Sequence, residues 1–248
     1  MGKRLWLEVT ITKWSPNWGP NTPKYMWSQS KYGGKDPKYY GSFQYKPGES
    51  AWRAIIWNNN VSDRLVALYA ALGKRFNDEP NFEGINVGET SLEAGPGWTS
   101  DGVEAAFKKM ALGAKKAFPD KLVFLQPNFG PPDPATLSQW LADNGIGIGT
   151  PDITLNDYSY KTLYPIFIRY HDEVHTAPDV QWDNYERYSK TLRRNYTSAE
   201  LLDEAVKNTN PWYMFWEKRD PYFTRDVIPA IRSYGPLPAA RDYYNSLK

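Results

Sequence analysis

Four carboxylates stand where the sequence reads as the end of a short β-strand: Glu89, Asp152, Asp183 and Glu217. Glu89 closes the run Phe82-Glu83-Gly84-Ile85-Asn86-Val87-Gly88-Glu89, which has a helical pattern on either side and spills into a Gly/Pro/Trp loop over 94–100. In parallel strand-helix repeats, the carboxyl ends of the strands carry the working groups. Two carboxyls facing each other across a glycosidic bond can protonate the leaving oxygen and activate water or attack carbon. Their separation is about 5–5.5 Å for retention and about 6.5–9.5 Å for inversion. Glu89 is the expected proton donor. Asp152 is its leading partner, as base or nucleophile, because Gly147 and Gly149 leave room above its strand. Glu217 is third. Blander roles stand beside these: Glu89 capping the next helix, Asp152 capping the segment 153–157, and Glu217 pairing with Lys218 or Arg219.

A second set of residues suits sugar hydroxyls and rings. Glu8 sits between Leu7 and Val9 in an apolar run, where an acid is costly unless it is paired or faces a polar ligand. Gln126 and Asn128 share one face near the end of another strand and offer amide partners; loop bracing is the alternative. The chain has 11 Trp, 18 Tyr and 10 Phe, 16% of its residues. Many fall beside Gly, Pro and Asn, among them Trp14, Trp18, Trp27, Trp57, Trp98 and Trp182. Flat amphipathic rings outside periodic core positions suit stacking on sugars. Gln181 and Trp182 close one strand and Trp216 another.

The elements that position these residues alternate strictly. Strands are expected over 4–12, 82–89, 121–128, 146–152, 177–182 and 212–216, with a short extended piece over 51–57. Helices are expected over 60–76, capped by Ser62, and over 100–117, capped by Ser100 or Asp101. Others follow over 134–144, 163–174, 197–207 with a near capping box, 226–233 and 239–246. Strand-helix alternation calls for a parallel sheet covered by helices. The whole chain, 1–248, suits one α/β barrel domain, since a (β/α)8 barrel takes about 250 residues. Six strands are convincing rather than eight. Either loop segments supply the missing staves, or the barrel is incomplete. Open parallel edges need cover, and a second copy of the chain could give it.

Ala71-Leu72-Gly73-Lys74-Arg75-Phe76 followed by the 82–91 segment, with Gly149-Thr150-Pro151-Asp152 and Tyr213-Met214-Phe215-Trp216, resembles bacterial TIM-barrel proteins grouped with the glycoside hydrolases, clan A-like and N-terminally short. The resemblance spans roughly 3–232. It implies a (β/α)8 TIM-like barrel lacking its first two strands and activity on a plant or microbial polysaccharide. The strand at 4–12 would match the third stave and the remaining five the fourth to eighth. The clan's Asn-Glu pair is not reproduced at the fourth stave, where Gly88 precedes Glu89. Its seventh-stave Glu is replaced by Gln181-Trp182-Asp183. Trp216 matches the clan's stacking platform.

Other chemistries are weakly signalled. Lys and Arg are scattered and the net charge is +2, unlike a nucleic-acid surface. No apolar run approaches the roughly 20 residues of a membrane span, and no signal peptide is read. An extracellular or periplasmic setting is compatible with the chain, although the absence of cysteine leaves the compartment open. His171-Asp172-Glu173-Val174-His175 lacks the His-Glu-x-x-His order, so solvated helix-end residues are the better reading and no metal is expected. No cofactor is expected. The function expected is hydrolysis of a β-linked polysaccharide by paired-carboxylate catalysis. Two alternatives stay open: a non-catalytic carbohydrate-binding barrel, and an incomplete barrel that needs a partner chain.

Overall fold

The computed structural model describes residues 4–13, 22–32, 52–91, 97–130, 132–154, 158–186, 188–189 and 193–239. Trp14, Trp18, the side chains of Trp27 and Asp183, and nearly all of the expected 239–246 helix lie outside these. The chain divides into two compact units, Met1–Asp133 and Pro134–Lys248.

The first unit holds β1 (Leu5–Glu8), β2 (Thr12–Lys13), α1 (Lys24–Ser28), β3 (Trp52–Arg53), α2 (Asn59–Phe76), β4 (Phe82–Glu89), α3 (Ser100–Ala117) and β5 (Leu122–Gln126). β1, β4 and β5 run parallel, with β4 in the middle. The strand expected over 4–12 therefore stops at Glu8. Thr12 and Lys13 instead pair antiparallel with Trp52 and Arg53, so the 51–57 piece belongs to a two-stranded ribbon and supplies no stave. Alternation gives β4 and β5 two different faces. Ile85, Val87, Val123 and Leu125 are buried aliphatics, and α3 packs on both strands. The other face carries Trp6, Gly84, Asn86, Phe124 and Gln126. Trp6 lies over Gly84 and against Phe124, with ring centroids 5.2 Å apart. A Cβ at Gly84 would come within 2.4 Å of both the Trp6 ring and the Leu122 carbonyl oxygen.

The second unit holds α4 (Pro134–Asp143), β6 (Gly147–Thr150), α5 (Tyr164–Tyr170), β7 (Thr176–Val180), β8 (Tyr188–Ser189), β9 (Arg194–Asn195), α6 (Ser198–Thr209), β10 (Phe215–Trp216) and α7 (Ile228–Tyr234). β6, β7 and β10 run parallel, with β7 in the middle. Val180 packs with Leu201 and Ala205 of α6, and Trp216 lies against this cluster. A π-helical turn precedes each of α5 and α7, over Ser159–Leu163 and Phe223–Val227. Pro165 and Pro229 follow these turns directly. A proline inside a helix offers no N–H and its ring collides with the carbonyl four residues back. The wider turn absorbs that misfit: the N–H groups of Tyr164 and Ile228 reach five residues back, to Ser159 and Phe223.

The fold is α/β, with the strand-helix succession of a TIM-like barrel and three parallel strands in each unit among the described residues. Three caps set where its helices start. The Asn58 side chain, not Ser62, accepts from Asn60 N (2.9 Å) at the head of α2. Ser62 is buried one turn in. Thr99, one residue before the expected caps, accepts from Gly102 N (3.0 Å) at α3. Thr197 and Glu200 form a full capping box at α6.

Candidate functional site

Glu89 is placed by a defect in its strand. In the β4–β5 ladder Asn86 pairs with Phe124 and Glu89 with Gln126. Three steps on β4 match two on β5, so one extra residue bulges at Val87–Gly88. A bulge re-aims the side chains that follow it. It returns Glu89 to the face that carries Asn86, Phe124 and Gln126, where strict alternation would have turned it away. Gly88 takes φ +106°, which favours glycine. The Asn86 Oδ1 accepts from Gly88 N (3.0 Å) and its carbonyl accepts from Val9 N (3.0 Å). Asn86 thus closes the bulge with its side chain, while its carbonyl ties β4 to the residue after β1.

Beyond the bulge the strand-end loops are tied together. Thr90 N donates to the Gln126 carbonyl (3.1 Å), and Thr90 Oγ1 accepts from Asn128 N (2.8 Å). The Ser91 hydroxyl donates to Glu89 Oε1, and Asn128 Nδ2 donates to Glu89 Oε2 (3.3 Å). Thr90 and Ser91 are fully buried, and Glu89 is half-buried. Gln126 is 3% exposed and its Nε2 has no hydrogen-bond partner. A buried donor left unpaired costs about 1–3 kcal/mol. Glu8, one strand across from Asn86, is exposed at the end of β1 and accepts from Thr10 Oγ1 (3.5 Å). Its exposure removes the buried ion pair allowed by the sequence.

The second unit places the other candidates at its own strand ends. Asp152 forms an isolated bridge with Val180, and Ile153 N donates to the Asp179 carbonyl (3.1 Å). Asn184 Nδ2 donates to Asp152 Oδ1 (3.0 Å), while Asn184 Oδ1 accepts from Gln181 N (3.1 Å). Asn184 is 1% exposed. It joins Asp152 to the turn after β7. Glu217 is exposed and accepts from Trp182 N (3.0 Å). Lys218 pairs with Asp220, and the Arg219 guanidinium lies 3.9 Å from the centre of the Trp182 ring. Tyr185 OH donates to the Glu217 carbonyl (2.8 Å). Burial pushes this phenol upward, and the charges of Asp179 and Glu217 add to the shift.

β7 ends at Val180, so Gln181 and Trp182 leave the strand; Trp182 opens a 3-10 turn through Glu186. Phe215 pairs with Asp179 and Trp216 with Val180. By alternation Asp179, Phe215 and Glu217 share one face, and Trp216 lies on the other with Val180. Trp216 stacks on Tyr185 (6.1 Å, 8° between planes) and packs on the apolar cluster beside α6. That position gives Trp216 a packing role. Sequence reasoning missed Asn184, Asp179 and Tyr185. An Asn two residues after a strand, able to donate and accept at once, was the available signal.

His171 accepts or donates at Nδ1 opposite Asn210 (3.4 Å), and His175 packs on Trp212 (4.8 Å between centroids). Among the described residues no cluster of three or more His, Asp or Glu could hold a metal ion, and no helix is long and apolar enough to cross a membrane.

No protein-family model and no curated protein sequence matches the chain. The fold is similar to solved TIM-barrel glycoside hydrolases. A psychrophilic glycoside hydrolase family 10 endo-beta-1,4-xylanase aligns at TM-score 0.39 and 16% identity, over 64% of this chain and 58% of its own. A glycoside hydrolase family 5 protein from Bacteroides vulgatus aligns at TM-score 0.39 and 13% identity, over 62% and 36%. Morphinone reductase also aligns, at TM-score 0.35 and 12% identity, over 71% and 51%. The chain spans less than two thirds of the length of each. At these identities and TM-scores the alignments assign no chemistry to the chain.

Proposed function

We propose that this chain is a glycoside hydrolase acting on a β-linked polysaccharide, with Glu89 as its essential carboxylate. The observation that supports the reading most strongly is the bulge at Val87–Gly88. It turns a carboxylate at a strand end onto a polar face and costs the sheet a regular ladder. Ser91 and Asn128 then hold that carboxylate. On this reading Glu89 gives its proton to the leaving oxygen. Glycoside cleavage also needs a second carboxyl as base or nucleophile. Asp152 and Glu217, at strand ends of the second unit, are the further carboxyls of this reading. Gln126 and Asn128 are amide contacts for hydroxyls.

The test is hydrolysis of β-glucan, xylan, mannan and cellulose by Glu89→Gln, Asp152→Asn and Glu217→Gln beside the wild type. Loss of turnover in Glu89→Gln with sugar binding retained is the expected outcome. One observation favours a second reading, carbohydrate binding without catalysis: Ser91 and Asn128 hold Glu89 in place, and a carboxyl so held can simply bind a hydroxyl. On that reading the wild type binds glycan and cleaves none.

A further inference from the structure

The second unit contains a cavity of about 570 Å³ between the head of α6 and the π-helical turn before α7. That volume is in the range of pockets for small organic ligands. Ser198 and Ala199, the first two residues of α6, line it together with Tyr196, Tyr222, Arg225 and Asp226. The first N–H groups of a helix have no partner inside it. The capping box takes up Glu200 N and Thr197 N. Ser198 N and Ala199 N have no hydrogen-bond partner among the described residues. Ser198 is 6% exposed, and its hydroxyl has no partner among them either. The cavity thus meets three unused donors at the positive end of a 12-residue helix.

The acceptors nearby are already taken. Arg225 donates to Asp226 through Nε (2.8 Å) and Nη2 (2.7 Å). Arg194 donates to Glu200 at 2.6 and 2.8 Å. Each carboxylate therefore has its own cation, and the two pairs balance. What remains is an excess of donors and the helix dipole, which together suit an oxyanion. A bare oxyanion fills only a small part of the cavity. The rings of Tyr196 and Tyr222 give the rest an amphipathic lining for an organic body.

We propose that this cavity binds a small organic oxyanion, a phosphomonoester or a carboxylate, with its anionic oxygens on Ser198 and Ala199 and its body beside Tyr196 and Tyr222. The site goes beyond the glycoside reading and does not depend on it.

The test is calorimetric titration with phenyl phosphate, benzoate and benzamide, using wild type, Ser198→Pro and Ala199→Asp. Proline removes both the N–H and the hydroxyl of Ser198 yet suits the first helical position. Thr197, at φ −81° and ψ 157°, already has the extended backbone that a residue before proline takes. Aspartate at 199 suits the first turn of a helix but repels an anion. Both variants should keep the wild-type Tm or exceed it. Wild type should bind phenyl phosphate or benzoate, and bind benzamide, the neutral counterpart of benzoate, about tenfold more weakly or worse. Each variant should lose about tenfold or more for the anion, the worth of one hydrogen bond to a charged group. Tighter binding of phenyl phosphate than of benzoate identifies the phosphoryl source, and the reverse order the carboxylate. Benzamide binding as tightly as both anions overturns the proposal. So does anion binding undiminished in Ala199→Asp, which would put the anion elsewhere. Binding of none of the three probes overturns it as well. The anion-to-amide ratio is read on wild type, so refutation does not depend on either variant folding.

Discussion

Asn86 and Glu89 stand three residues apart in one strand yet share a face, because a single extra residue bulges between them against β5. Asn86 closes that bulge through its Oδ1, which accepts from Gly88 N at 3.0 Å. Gly88→Ala should strain this point: its φ is +106°, and a Cβ there meets the Val9 carbonyl oxygen at 3.3 Å. A side chain held in such a conformation costs about 1–3 kcal/mol. Thermal unfolding should show a lower Tm, and an unchanged Tm would show that the bulge is free to relax.

Gly84→Ala is a test of packing on the same face. The added Cβ would meet a backbone oxygen and the Trp6 ring, each at 2.4 Å. The ring can move, but the Leu122 carbonyl belongs to the β4–β5 ladder and cannot yield cheaply. Overpacking of this kind costs about 1–3 kcal/mol. Urea denaturation should report it as a lower midpoint. A midpoint equal to wild type would contradict the placement of Trp6 over Gly84.

Tyr69 gives a prediction of opposite sign. Its side chain is fully buried in α2 and its hydroxyl has no hydrogen-bond partner. Burial also pushes its ionisation far upward. Tyr69→Phe removes the unpaired hydroxyl and leaves the ring, so stability should hold or rise by up to about 1–3 kcal/mol. A clear fall in Tm would mean that the hydroxyl has a partner after all.

The α6 cap should make stability depend on acid. Arg194 donates to Glu200 at 2.6 and 2.8 Å, and Thr197 N donates to it at 2.9 Å. Arg194 chiefly, then the Thr197 backbone, hold the Glu200 carboxyl down at about 2. Its unfolded value is near the ordinary 4.3. A depressed carboxyl contributes stability above its unfolded pKa and loses it as pH falls through the folded one. The loss therefore runs from about pH 4.5 down to about 2. The pair is largely exposed, so screening keeps its contribution small. Tm measured from pH 6 to 2 should fall less steeply in Glu200→Gln than in wild type. Identical slopes would remove Glu200 from the acid response.

Much of this was legible in the sequence, for physical reasons that can be named. The helices at 59–76, 100–117 and 198–209 carry long apolar stripes, and periodicity finds them. Glu89 was legible as a carboxylate ending an apolar run. The bulge that aims it was not, since nothing local separates a regular strand from one with an extra residue until its partner's register is known. The strand expected over 4–12 was over-extended because β-rich residues continue past Glu8, where the chain turns into a ribbon with 52–53. Trp216 looked like a sugar platform because a strand-end tryptophan has two possible faces. Its pairing with Val180 put it on the apolar one. Asn184 was missed because its importance lies in two contacts, to Gln181 and Asp152, that only the folded turn brings together.

The most direct test of the central claim is reducing-sugar release from β-glucan, xylan, mannan and cellulose by wild type and Glu89→Gln. The account predicts release from at least one polymer by wild type, and a fall of about 10²–10⁴-fold in the variant, the range that acid-base groups contribute. Release by Glu89→Gln at the wild-type rate would contradict it.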